Sequence, residues 1–185
     1  MVKKAVVVAL SCTFIVGVFL GVGSASEKPA MPALLTSAGQ STDILIVNVM
    51  LNRKLDMKIP SVALAKAEDL TGIKTLIVVV GLSNKGLGSA GLDLNAETAR
   101  VKSLVEYAKQ QGITVVLVHT GGAQRRGGGS DQLISLVAPV AEYYVVVKAG
   151  NADKLFDKLA AANKAQLVEV ETLADAGPAI QKLFQ

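Results

Sequence analysis

Cysteine, histidine and tryptophan are almost missing from this sequence of 185 residues, which has one Cys, one His and no Trp. The single cysteine, Cys12, lies in an apolar N-terminal segment, so the rest of the chain has no thiol. Disulfides, cysteine-based zinc sites and a cysteine nucleophile are therefore excluded outside that segment. With so few of the usual ligands, we expect no metal ion and no cofactor.

Net charge and aromatic content are also low. The chain carries 19 Lys and Arg against 15 Asp and Glu, and aromatic residues make up only 4%. This basic excess is too small, and stacking side chains are too few, to indicate a nucleic-acid partner. The apolar fraction of 51% is enough for the hydrophobic core of one ordinary domain.

The N-terminal segment has the residue order of a secretory signal peptide. Lys3 and Lys4 precede an apolar run over residues 5–22, and small residues follow it. We expect cleavage after Ala25 and export to the periplasm or the extracellular space. The alternative is an uncleaved anchor, since the run is at the lower limit for spanning a bilayer; such an anchor would be the chain's contact with a membrane. The expected parts are a signal peptide (1–25), a linker (26–32) and a single domain (33–185).

Runs of strand length alternate with segments of helical period through the rest of the chain. Three unbroken, Val-rich runs are typical of strands covered on both faces of a parallel sheet: Leu76–Val80, Ile113–Val118 and Tyr143–Val147. Weaker strand candidates are Ala33–Thr36, Leu167–Val170 and Lys58–Ala65, the last interrupted by Pro60.

Helical stripes lie between these runs. Asn95 is a candidate N-cap for the helix before the second run, Ser130 for the helix after it, and Pro178 can open the last helix. Residues 41–54 read as strand or buried helix, and their length favours the helix. The alternation predicts a three-layer α/β sandwich with a mostly parallel sheet of five or six strands, flavodoxin-like or Rossmann-like.

Glycines, hydroxyls and cations are concentrated in the loops that follow the predicted strands. In such sheets ligands bind outside the carboxyl ends of the strands, and Gly-rich loops with Arg suit carboxylate or phosphate groups. We therefore expect a site for a small anionic or polar ligand at this edge. The candidate ligand-binding residues are Ser37, Gln40, Ser41, Ser83, Asn84, His119, Thr120, Gly121, Gly122, Arg125 and Arg126.

Motifs for particular reactions are absent. The spacing Gly86-x-Gly88-x-x-Gly91 matches a dinucleotide-binding pattern but does not follow a strand directly. His119 is a candidate general base, although its place at the end of a buried strand also suits a structural role.

Two stretches carry a resemblance: Leu34 to Ser41, and His119 to Asp131, continued by Ala138-Pro139 and Gly150-Asn151. Together they resemble a family of small exported bacterial α/β proteins, a domain of unknown function. The resemblance implies an envelope or secreted context but no activity, cofactor or catalytic residue.

Three functions are consistent with these observations. The first is a binding protein for a small anionic or polar metabolite. The second is a hydrolase or transferase that uses His119. The third is a non-catalytic partner of another envelope protein, and the sequence indicates no oligomeric state.

Overall fold

The computed structural model describes residues 28–185; the predicted signal peptide, its cleavage site and Cys12 lie outside them. The strands are β1 (Ala33–Ala38), β2 (Thr75–Val80), β3 (Thr114–His119), β4 (Tyr143–Val147) and β5 (Gln166–Val170). The α-helices are α1 (Asp43–Asn48), α2 (Asn84–Ser89), α3 (Leu94–Gln110), α4 (Gly128–Val137), α5 (Leu155–Asn163) and α6 (Leu173–Leu183). A π-helix (Val49–Lys54) continues α1, and 3-10 helices span Ala67–Leu70, Gly122–Arg125 and Lys148–Asn151.

All five strands are parallel and lie in the order β1-β2-β3-β4-β5. The three Val-rich runs form the adjacent strands β2, β3 and β4, and every residue of these strands is buried. Helices α3, α4 and α5 pack on one face of the sheet, while α1, the π-helix and α6 pack on the other. The predicted three-layer α/β architecture is therefore confirmed.

The chain changes direction across the sheet between β1 and β2. After α1, residues 59–63 run beside the outer edge of β1, where the Leu35 N–H donates to Pro60 O and the Val62 N–H donates to Leu35 O, both at 2.9 Å. A single parallel bridge, Leu35 to Ser61, joins the two segments. The strand predicted at residues 58–65 therefore does not form, and this single bridge stands in its place. Pro60 has no N–H to donate to a ladder of hydrogen bonds.

This reversal creates a topological switch point. The chain first moves outward from β1 and then returns to add β2, β3, β4 and β5 on the other side of β1. Right-handed crossovers then place α1 on one face and α3 to α5 on the other, as observed. In sheets of this kind the loops after the two strands that flank the reversal, here β1 and β2, border a crevice.

Residues 43–54 are helical, which settles the ambiguous segment. Ile44, Val47 and Leu51 face the core at helical spacing, whereas Leu45 is 61% exposed. A strand would have placed alternate residues on one face, so the spacing of 3 and 4 decides the outcome. No helix in the described part, residues 28–185, has the length and apolar character needed to cross a membrane.

Two predicted helix starts are wrong by a few residues. Helix α3 is capped by Asp93 rather than Asn95, since the Asp93 carboxylate accepts a hydrogen bond from the Ala96 N–H at 2.7 Å. Helix α6 begins after Thr172, which forms a capping box, so that Pro178 lies inside the helix. In both cases a better cap earlier in the chain defines the start.

Ser130 lies inside α4 and does not cap it. The helix is preceded by Gly127, whose φ of +87° is a conformation that favours glycine. The Ser130 hydroxyl instead accepts a hydrogen bond from the Leu82 N–H at 3.0 Å. This contact connects the start of α4 to the loop after β2.

Candidate functional site

The loops after β1 and β2 are joined to each other at the switch point. The Gly81 N–H donates to Ala38 O at 2.9 Å, and the Ser83 N–H donates to Gly39 O at 2.7 Å. Gln40 has a positive φ of 55° and forms an antiparallel bridge with Leu82. These main-chain contacts hold the two loops side by side, so the residues on them have fixed relative positions.

Four side-chain oxygens at this edge of the sheet are buried and lack a hydrogen-bond partner within residues 28–185. Each belongs to a residue that is at most 9% exposed. We call this group the switch-point cluster. It consists of Ser37 Oγ, Ser41 Oγ, Asp43 Oδ2 and Thr120 Oγ1.

Two glycines leave room for this cluster. A Cβ atom on Gly81 would lie 3.3 Å from Ser41 Oγ and 3.5 Å from Asp43 Oδ2. A Cβ atom on Gly121 would lie 2.8 Å from the same Asp43 oxygen, closer than real Cβ atoms approach. Asp43 Oδ2 therefore sits between the loop after β2 and the loop after β3, and Thr120 directly precedes the second of these glycines.

Arg125 extends over the cluster. Its aliphatic carbons pack against Gly121, where a Cβ atom would clash with them. Its Nη1 donates to Leu82 O at 3.0 Å, and its Nε lies 3.9 Å from Asp43 Oδ2, which is too long for a hydrogen bond. The side chain is 31% exposed and so lies partly in solvent.

Arg126 has a different environment and is engaged by protein groups. Its guanidinium contacts the carboxylates of Asp131 and Asp153 at 2.8 Å each and donates to Gly150 O. It also lies over the ring of Phe156, 5.5 Å from the centroid. The carboxylates raise the pKa of Arg126 above its usual range. This arginine joins α4 to the segment before α5, and we leave it out of the proposed site.

His119 is fully buried, and both of its ring nitrogens face main-chain carbonyls. Nδ1 lies 3.0 Å from Val80 O, and Nε2 lies 3.3 Å from Gly122 O. Burial lowers the pKa of His119, and the two carbonyls oppose that shift only in part. A Cβ atom on Gly150 would come within 2.7 Å of the ring, so the imidazole is packed on that side as well. The geometry supports a structural role.

Gln40 takes part in a hydrogen-bond network under the loop after β1. We call this network the buried bracket; it consists of Gly39, Gln40, Glu97 and Arg100. Glu97 of α3 has no exposed surface; it accepts hydrogen bonds from the Gly39 N–H at 2.8 Å and from Gln40 Nε2 at 3.0 Å. Arg100 donates to the same carboxylate through Nε and Nη2, both at 2.8 Å, and also to Ser37 O at 2.6 Å. Burial alone raises the pKa of Glu97, but the hydrogen bonds from Arg100, Gly39 and Gln40 outweigh it and lower the pKa.

Residues 30–184 match the family model of a domain of unknown function, DUF6305. The chain belongs to the DUF6305 family. This confirms the predicted family of unknown function, and the match itself carries neither an activity nor a cellular location. Comparisons with curated proteins and with solved structures found no match.

The other sequence candidates lie around the cluster of this DUF6305 domain rather than in it. Ser83 caps α2 by accepting from the Gly86 N–H at 3.0 Å, and Asn84 is exposed on the first turn of that helix. Gly122 has a φ of +59°, which serves the turn into the 3-10 helix. Of the predicted set, the structure places Ser41, Gly121 and Arg125 around Asp43. Ser37 and Thr120 carry unpaired hydroxyls at the end of β1 and directly after β3.

Two residues of the DUF6305 domain that matter here were missed by sequence reasoning. Asp43 and Glu97 each lie in the first turn of a helix. The helix dipole favours an acidic residue at this position, so its presence in the sequence does not by itself indicate a functional site. The signal for Asp43 was its place two residues after Ser41, where the loop after β1 ends and α1 begins. Between residues 28 and 185, no group of three or more His, Cys, Asp or Glu side chains could hold a metal ion.

Proposed function

We propose that this protein binds a small polar ligand at the switch point, between the loops after β1, β2 and β3. The single observation that carries the proposal is the switch-point cluster, four buried oxygens without hydrogen-bond partners within the described chain. A buried polar group left unpaired costs about 1–3 kcal/mol, so native proteins pair nearly all of them. A ligand that supplies hydrogen bonds to several of these oxygens would remove that cost.

The charge around the cluster favours a ligand that is not simply an anion. Arg125 faces the carboxylate of Asp43, with its Nε 3.9 Å from Oδ2. Arg126 is matched by two carboxylates and adds little positive potential. A ligand with hydrogen-bond donors for the oxygens and an acceptor for Arg125 fits this arrangement better than an anion with acceptors only.

His119 does not support the alternative of a hydrolase or transferase. A general base needs a nitrogen lone pair directed at substrate, and both ring nitrogens of His119 face carbonyls beneath the loops. We therefore assign no catalytic role to this residue.

A pair of isosteric variants tests whether the cluster is kept for binding. Thr120→Val removes an unpaired hydroxyl, so we expect the melting temperature to rise by about 2–4 °C, which corresponds to about 1 kcal/mol. Thr36→Val is the matched control, because its buried hydroxyl donates to Ala63 O at 3.3 Å and its loss should lower stability. A lower melting temperature for Thr120→Val would show that this hydroxyl stabilises the fold.

Ligand binding is tested by NMR with the purified protein and a panel of amino acids, hydroxy acids, sugars and phosphates. Binding at the proposed site shifts the amide signals of Gly81 and Gly121, and Thr120→Val reduces the affinity while it preserves the fold. If no compound of the panel shifts these signals, or if Thr120→Val binds as well as the wild type, the proposal fails.

We also propose that binding takes place outside the cytoplasm, as the order of Lys3, Lys4, an apolar run and small residues indicates. Mass spectrometry of the protein from its native host should find a mature N-terminus near Ser26 or Glu27. An intact Met1 in membrane fractions would contradict cleavage and support an anchor.

A further inference from the structure

We infer that the ligand of the switch-point cluster is a zwitterion with an ammonium and a carboxylate on neighbouring atoms, as in an α-amino acid. The inference rests on the proposed function and specifies the class of ligand. It follows from the kinds of atoms that lack partners, the closeness of Ser41 and Asp43 beside Gly81, and the position of Arg125.

The cluster needs a donor. A carboxylate oxygen only accepts hydrogen bonds, and Asp43 Oδ2 is buried without one. Ser41 Oγ shares the space beside Gly81 with this oxygen, and Gly121 of the loop after β3 lies close to the same oxygen on the other side. An ammonium group has three N–H donors, so it can serve Asp43 Oδ2 and Ser41 Oγ together.

The charge of Asp43 distinguishes an ammonium from a hydroxyl. A buried carboxylate is stabilised most by a positive partner in direct contact, and the guanidinium of Arg125 stays 3.9 Å away. A hydroxyl group would supply one donor and no charge, whereas an ammonium supplies both. The cluster therefore discriminates in favour of the charged donor.

Arg125 provides the second contact. Its Nη1 donates to Leu82 O, and its Nε lies 3.9 Å from Asp43 Oδ2 in a side chain that is 31% exposed. In an α-amino acid the ammonium nitrogen and a carboxylate oxygen are three bonds, or about 3 Å, apart. That separation suits Asp43 and Arg125, so that the two charges of the ligand meet the two opposite charges of the protein.

Entry of the ligand requires Arg125 to move. Its side chain packs on Gly121 and is held by one hydrogen bond, to a carbonyl of the neighbouring loop. On this inference, rotation away from Leu82 O would uncover Asp43 and bring the guanidinium to the carboxylate of the ligand. The side chain thus both covers the empty cluster and binds the occupied one.

The inference is tested by calorimetric titration of the purified protein with the common L-amino acids. The tightest binder is then compared with the 2-hydroxy acid and the amine that have the same side chain; for L-alanine these are L-lactate and ethylamine. We expect both analogues to bind at least 10-fold more weakly, because each lacks one charge-assisted contact.

Variants locate the two contacts. Asp43→Asn should weaken amino-acid binding by about 10- to 150-fold, and Arg125→Gln should weaken it while reducing the preference over the amine. Asp56→Asn is the matched control, since the side chain of Asp56 is 80% exposed and its loss should leave the affinity unchanged. Circular dichroism verifies that the variants are folded.

The outcomes separate this inference from the proposed function. Equal affinity for the amino acid and its hydroxy analogue, or a sugar or phosphate as the bound compound, overturns the zwitterion and leaves ligand binding at the switch point intact. Binding that Asp43→Asn does not weaken also overturns the zwitterion. If no compound binds and the cluster holds only an ordered water, both proposals fail.

Discussion

The buried bracket under the loop after β1 allows a quantitative test of what holds the edge of the sheet in place. Glu97→Gln keeps the size of the side chain and removes its charge, and the new amide N–H₂ faces donors. Arg100, whose side chain is only 11% exposed, then loses its counter-charge. Breaking a buried pair by changing one partner costs about 3–5 kcal/mol.

For a domain of this size, 1 kcal/mol corresponds to about 2–4 °C, so Glu97→Gln should lower the melting temperature by about 6–20 °C. Glu106→Gln on the same helix is the matched control. Its carboxylate lies 3.9 Å from Lys102, both side chains are more than half exposed, and such pairs contribute at most about 1 kcal/mol. Calorimetry of both variants beside the wild type measures the difference.

The pH dependence gives a second measurement. Because the pKa of Glu97 is lower in the folded state than in the unfolded state, its stabilising effect is present above the usual glutamate pKa and is lost as the pH falls through the folded value. The difference in melting temperature between wild type and Glu97→Gln should therefore be constant near neutral pH and shrink in acid. Equal effects of the Glu97 and Glu106 variants, or a difference that grows in acid, would refute the reasoning.

Two more substitutions test the packing of the sheet and of its carboxyl edge. Gly150→Ala should destabilise the protein by about 1–3 kcal/mol, because the new methyl group would overlap His119, whereas Gly88→Ala, in open space on a helix, should not; thermal melts compare them. Val116→Asp places a carboxylate in the central strand and should prevent folding, as the loss of the cooperative unfolding transition would show. A folded Val116→Asp protein would contradict the assignment of this strand to the core.

The strands and their shared direction could be predicted because buried parallel strands read as unbroken apolar runs, and β2, β3 and β4 fit that pattern. The starts of the helices could not be predicted as well. Asp93 and Asn95 are both good caps, and only the hydrogen bond to Ala96 decides between them. The strand order depended on how residues 59–63 reach the edge of β1, a long-range contact that leaves no local pattern.

The edge that carries the candidate site could be predicted, since the loops after parallel strands share one edge in any such sheet. The roles of adjacent residues could not. Arg125 and Arg126 look equivalent in sequence, yet the partners that separate them, Asp43 and Asp153, lie far away along the chain. Whether a hydroxyl is paired or unpaired likewise depends on contacts between loops.

His119 gives the protein a built-in spectroscopic reporter. It is the single histidine in the sequence, so its ring protons produce one set of NMR signals that needs no assignment by mutation. Burial lowers the pKa of His119, which favours the neutral form of the ring. A change in these signals on addition of a ligand reports a rearrangement around this ring, at the Val80 and Gly122 carbonyls or the Phe156 ring, and it registers an event at the carboxyl edge without a label.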